Sequence, residues 1–138
     1  MSNLTPEQLA QLALQARQNS YSPYSHYRVG AALMAASGKI YLGCNIENAA
    51  YPVSLCAERV AMFKAVSEGE RRFSAIAVAT DNAGSPCGSC RQVMAEFALE
   101  IPVYLVNGRG EVVQTTSVRE LLPGAFLPQH LGIDPTQA

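Results

Sequence analysis

Cys56 and the pair Cys87 and Cys90 constrain this chain more than any other feature. The segments Leu55-Cys56-Ala57-Glu58-Arg59 and Pro86-Cys87-Gly88-Ser89-Cys90-Arg91 each stand where a helix is predicted to begin. A helix N-terminus carries partial positive charge and free N–H donors, and both favour a thiolate over a thiol. A fold that brings two such helix starts together gathers three thiolates around one point. Three thiolates give zinc three ligands and leave its fourth tetrahedral position open to water, the arrangement of a catalytic site. Glu58, two residues from Cys56, is then placed to move protons to and from that water. Residues two apart do not share a face in mid-helix. The arrangement therefore requires all three cysteines in first turns, where a metal beyond the helix end is approached from several sides.

Zn²⁺ with three thiolates has a net charge of minus one and acidifies water less than a site with neutral ligands. Arg59, three residues after Cys56, can reach back and donate hydrogen bonds to thiolate sulfur, restoring the metal's Lewis acidity. Taken alone, Cys87 and Cys90 also fit a redox pair, or half of a structural zinc site with Cys44 as fourth ligand. Cys56 with Glu58 just after it tips the balance toward catalytic zinc. Cys44 reads as a small buried residue at a strand end. His26 and His130 read as loop or surface histidines.

Charge narrows the partners. Charged residues make up 15% of the chain, against about 25% in an average globular protein. Such a chain has either an unusually large core or a surface partly covered by other subunits, and a homo-oligomer is expected. The net charge is -1 and no segment gathers basic residues into a stripe, which argues against a nucleic-acid polymer as substrate. A small, nearly neutral molecule fits better. The N-terminus lacks the basic and apolar regions of a secretory signal, and no stretch approaches the roughly 18 apolar residues of a membrane helix. A cytoplasmic protein with reduced, metal-holding thiols is expected.

Residues 1–138 read as a single catalytic domain. Thr5-Pro6-Glu7-Gln8 is a helix start with a capping box, and apolar spacing carries that helix to about Asn19. Tyr21 to Tyr27 reads as an ordered loop. Val29 to Ala35 and Lys39 to Gly43 form a predicted hairpin about Ser37-Gly38. A loop from Asn45 to Pro52 leads to a helix from near Cys56 to Ser67. Phe73 to Thr80 reads as a buried strand, Asp81 to Pro86 as a loop, and Cys87 to Ala98 as a helix. Strands at Ile101 to Val106 and Glu111 to Thr115 flank an Asn107-Gly108 turn, and a short helix spans Val118 to Leu122. Helices alternating with strands predict an α/β fold, a three-layer α/β/α sandwich. The opening hairpin makes its five-stranded sheet mixed.

The two cysteine segments match the signature of zinc-dependent nucleobase deaminases. With them stand Tyr24-Ser25, Val29-Gly30-Ala31-Ala32, Gly43-Cys44-Asn45-Ile46-Glu47-Asn48-Ala49-Ala50-Tyr51 and Glu120-Leu121-Leu122-Pro123-Gly124-Ala125-Phe126. Over nearly its whole length the chain resembles the cytidine deaminase family, in its small, homotetrameric, three-cysteine form. The resemblance implies one Zn²⁺ per subunit on Cys56, Cys87 and Cys90, with Glu58 as proton shuttle. It implies that Asn45 and Glu47 bind the ribose hydroxyls and that Phe126 stacks on the base from a neighbouring subunit. An amide and a carboxylate on one loop do supply the donor and acceptors a vicinal diol needs, and an aromatic face suits a flat pyrimidine. The backbone N–H of Ala57 is expected to donate to the base carbonyl. Position 27 is Tyr where many relatives carry Phe as a pocket wall, and the hydroxyl of Tyr27 then needs a partner. The expected reaction is hydrolytic deamination of cytidine and 2′-deoxycytidine in pyrimidine salvage. Rivals are a blasticidin S deaminase, a structural zinc module and a redox protein.

Overall fold

Alternation along two strands decides the layers. The computed structural model describes residues 4–137. It has five strands, β1 (Gly30–Ala35), β2 (Ile40–Cys44), β3 (Phe73–Ala79), β4 (Pro102–Val106) and β5 (Val112–Ser117), in the order β2-β1-β3-β4-β5. Strands β3 and β4 run parallel, and the other neighbouring pairs run antiparallel. The helices are α1 (Pro6–Ala16), α2 (Ala57–Ser67), α3 (Gly88–Ala98) and the short α4 (Val118–Leu121). Ala31, Leu33 and Ala35 of β1, with Ile76 and Val78 of β3, pack with Ala61 and Met62 of α2 and Met94 and Ala95 of α3. Ala32 and Met34, with Ala75, Ala77 and Ala79, pack on Leu9, Ala10 and Ala13 of α1. Both sheet faces are covered, so β1 and the buried part of β3, from Ala75 to Ala79, carry apolar residues on both faces. This is the expected α/β/α sandwich on a mixed sheet.

Small residues set how closely the layers approach. A Cβ added at Gly43 of β2 would meet the Ala57 carbonyl oxygen at 2.4 Å and the Ala61 nitrogen at 2.7 Å. The backbone of the first turn of α2 therefore rests directly on the sheet, and that turn carries Glu58. The start of α1 is as expected: Gln8 N–H donates to Thr5 Oγ1 (3.1 Å) and Thr5 N–H to Gln8 Oε1 (2.9 Å).

Three details differ from expectation. The β4–β5 connection spans residues 107–111, and its turn is not confined to Asn107-Gly108. Asn107 N–H donates to the Glu111 carbonyl at 3.0 Å, and the left-handed position falls on Gly110 (φ 82°). The Asn107 side-chain oxygen accepts from the N–H groups of Arg109 and Glu111, so the amide side chain shapes a longer loop and β5 begins later. Next, Tyr51–Val53 forms a short 3₁₀ turn at the end of the segment read as loop. Finally, Cys44 is half-buried rather than buried.

Candidate functional site

Cys56 and Cys87 are the N-cap residues of α2 and α3, and neither makes a side-chain capping bond to its own helix. Glu58 and Cys90 follow in the first turns. Gly43 holds one of these helix ends against the sheet, and Arg91 secures the approach to the other. The Arg91 guanidinium donates to the Pro86 carbonyl (2.7 Å), the Ser85 hydroxyl (2.9 Å) and the Leu121 carbonyl (2.7 Å).

The ends meet where the sequence requires. The Sγ atoms of Cys56 and Cys87 are 3.7 Å apart, and those of Cys87 and Cys90 are 3.4 Å apart. All three lie within 4.8 Å of one another. Three sulfurs at about 2.3 Å from a tetrahedral zinc would stand roughly 3.8 Å apart, so the donor set fits that metal. Cys44 does not belong to the group.

The electrostatics favour thiolate at this point. Hydrogen bonding from Cys90, aided by Arg59 and Cys87 and opposed by burial, brings the Cys56 thiol down to about 5. Its hydrogen bond with Cys56 and its own burial push Cys90 up, so Cys56 ionises first. Arg59 Nη2 donates to Cys56 Sγ at 3.4 Å, the contact expected from the spacing. Glu58 is 3% exposed. Burial, and then the negative charge at Cys56, push its carboxyl up to about 7. Its Oε1 is buried with no hydrogen-bond partner in the protein. An unpartnered buried carboxylate oxygen is costly unless something else occupies the site.

A cavity of about 240 Å³ opens over these groups, lined by Cys56, Glu58 and Cys87 on one side and Tyr27, Asn45 and Glu47 on another. Asn45 is almost fully engaged. Its Oδ1 accepts from Val29 N–H at 2.9 Å and from the Ser20 hydroxyl, and its Nδ2 donates to the Tyr27 carbonyl at 2.7 Å. One amide hydrogen is left for a ligand. Glu47 Oε1 accepts from the N–H groups of Tyr24 (2.9 Å) and Ser25 (3.1 Å), and Oε2 accepts from the Ser25 hydroxyl. Those bonds, the hydroxyl first, hold its carboxyl below the usual range. Ala57 is fully buried as the first residue of α2, where a helix N–H has no intrahelical acceptor.

Phe126 lies apart from this cavity. It is 61% exposed, stacked on His130 with ring centroids 5.5 Å apart, and its carbonyl accepts from Gln92 Nε2 of α3 at 2.9 Å. Ser25, Thr80 and Gly84 also line the cavity, and the sequence assigned none of them a role there. For Thr80 a signal existed: it is the polar residue that ends a buried apolar strand. A second hollow, of about 310 Å³, shares Ser25 and Glu47 and is walled by Tyr24 and Tyr51.

A family model described as the cytidine and deoxycytidylate deaminase zinc-binding region matches residues 4–106. The chain belongs to this deaminase family. It is 55% identical to a cytidine deaminase of Sporosarcina psychrophila over 91% of this chain and 93% of that one. The crystal structure of cytidine deaminase from Burkholderia pseudomallei superposes with a TM-score of 0.85 at 46% identity, covering 89% of this chain and 100% of that one. That from Mycobacterium tuberculosis gives 0.79 at 34% identity, covering 90% and 98%. Zinc is the cofactor of this deaminase domain, and the three-cysteine cluster is placed to hold it. Among the described residues, no helix is long and apolar enough to cross a membrane.

Proposed function

We propose that this chain is a cytidine deaminase, converting cytidine and 2′-deoxycytidine to uridine and 2′-deoxyuridine with release of ammonia, in pyrimidine salvage. The observation that carries this reading is the buried, unpartnered Oε1 of Glu58 beside three clustered sulfurs, in a cavity whose far side presents Asn45 and Glu47. Bound by Cys56, Cys87 and Cys90, zinc supplies the Lewis acidity that makes water a nucleophile near neutral pH. Glu58 takes a proton from the attacking water and hands it to ring N3 as the C4–O bond forms. It then moves the water's second proton to the amino group, which leaves as ammonia while the C4 carbonyl closes. Burial favours this role, because a desolvated carboxyl holds a proton more readily than an exposed one and can return it to the substrate. Asn45 offers its remaining N–H, and Glu47 its free lone pairs, to the sugar hydroxyls. Ala57 N–H donates to the base carbonyl, and the Tyr27 ring forms a wall.

We also read the active form as a homotetramer with sites shared between subunits. Tyr24 and Tyr51, which wall the hollow beside the cavity, and Val53 and Phe126 are exposed, and large apolar groups left in water are suited to a partner surface. Phe126 would then stack on the base bound by a neighbouring subunit. Residues 1–138 act as one catalytic domain, and four free cysteines suit the reducing cytoplasm. Ultraviolet-monitored loss of cytidine by zinc-loaded protein tests the reading, with Glu58→Gln as control. Loss with ammonia release, reduced at least about 10²-fold in the zinc-retaining control, is expected. No loss by zinc-loaded wild-type protein, or equal turnover by the control, would overturn it.

A further inference from the structure

Tyr27 joins two parts of the site that come from distant stretches of chain. Its carbonyl accepts from Asn45 Nδ2 at 2.7 Å, and its N–H donates to Ser25 Oγ at 3.0 Å, the same hydroxyl that donates to Glu47. Its own hydroxyl turns the other way and donates to Asn82 Oδ1 at 2.8 Å. Asn82 Oδ1 also accepts from the Thr80 hydroxyl at 3.3 Å, and Thr80 Oγ1 accepts from Gly84 N–H at 2.6 Å. A Cβ at Gly84 would lie 2.4 Å from the Tyr27 hydroxyl. The glycine therefore serves space rather than backbone conformation, and the hydroxyl occupies the place a side chain would need. Residues 80–86 lead directly into Cys87.

We propose that Tyr27 is a positioning residue: its hydroxyl, seated on Asn82 over Gly84, sets the spacing between the Asn45–Glu47 side of the cavity and the loop that delivers Cys87. The proposal rests on the deaminase reading of the cavity and deepens it. A phenylalanine would keep the wall and lose the tie. The ring would then be free to shift against its neighbours, so the binding of substrate suffers more than the proton transfers at Glu58.

The experiment compares zinc-loaded wild-type chain with Tyr27→Phe, Gly84→Ala and the double variant. In Tyr27→Phe the KM for cytidine is expected to rise about 3- to 10-fold, the worth of one hydrogen bond, with kcat within about twofold and zinc content unchanged. Amide exchange across residues 81–86 is expected to quicken. Gly84→Ala alone should raise KM, and adding it to Tyr27→Phe should raise KM no further, because the clashing oxygen is gone. An ordinary stabilising contact would lower the melting temperature without moving KM, and the two substitutions would simply add. Unchanged KM and exchange in Tyr27→Phe, or additive effects in the double variant, would overturn the proposal. If wild-type chain did not turn over cytidine, the deaminase reading would fall, and the exchange comparison would still decide the role of the hydroxyl.

Discussion

Nη2 of Arg59 lies 3.4 Å from Sγ of Cys56, three residues back along the same helix start. The guanidinium thus shares the charge of a sulfur in the three-cysteine cluster without touching the cavity, whose lining does not include it. Replacing it should weaken the metal site while leaving the pocket walls in place. Arg59→Gln is expected to lower zinc affinity or turnover by about 10- to 100-fold, the usual effect of losing a partner behind a ligand. Chelator competition and kcat measured on the same preparation check this.

Gly43 tests whether the sheet positions the site. A methyl group there must displace the backbone of Ala57 or Ala61, and α2 carries Glu58 in its first turn. Gly43→Ala should cost about 1–3 kcal/mol of stability by overpacking and weaken zinc binding as well. Denaturant unfolding and zinc titration should move together. Stability falling with zinc affinity intact would show that the helix end adjusts independently of the sheet.

The four cysteines should divide three to one. Cys44 is outside the metal group, and burial raises its thiol, with Lys64 opposing. Cys44→Ser is therefore expected to keep full zinc content, whereas Cys90→Ser should lose nearly all of it. Metal analysis after gel filtration distinguishes these outcomes, and zinc loss from Cys44→Ser would favour a four-cysteine structural site.

Glu47 sets an acid dependence whose sign is fixed. Ser25 holds its folded carboxyl below the ordinary 4.5, so the folded protein binds that proton less readily than the unfolded chain. The resulting stability is fully present above the unfolded value and is lost as pH falls through the folded one. Ser25→Ala should destabilise the protein modestly at pH 6, and the difference from wild type should shrink below pH 4. Melting curves across that range check it; a difference that grows with acid would reverse the assignment.

Much of this site was legible because its chemistry is encoded locally. Cys56 and Glu58, or Cys87 and Cys90, declare themselves within four residues, and helix-start signals say where they will stand. The burial of β3 followed from the unbroken apolar run Ile76 to Ala79. What the sequence did not expose depends on partners far along the chain. Ser25 reads as one of several loop serines until the fold brings it to Glu47, and Asn82 reads as a turn residue until it receives the Tyr27 hydroxyl. The β4–β5 loop was misjudged for a different reason. Asn107-Gly108 has the composition of a tight turn, but Gly110 takes the left-handed position and the Asn107 side chain holds the longer arc.

Cys56 and Cys87 occupy positions where a serine or aspartate would ordinarily stabilise its own helix, each by about 1 kcal/mol. Here the side chains turn away from their helices and toward a common centre. Metal loss would therefore do more than silence the chemistry: it would leave two helix ends, from separate stretches of chain, without the bond that fastens them together. The inactive form of the protein would also be its least durable form, and turnover and survival against heat or proteases would decline together.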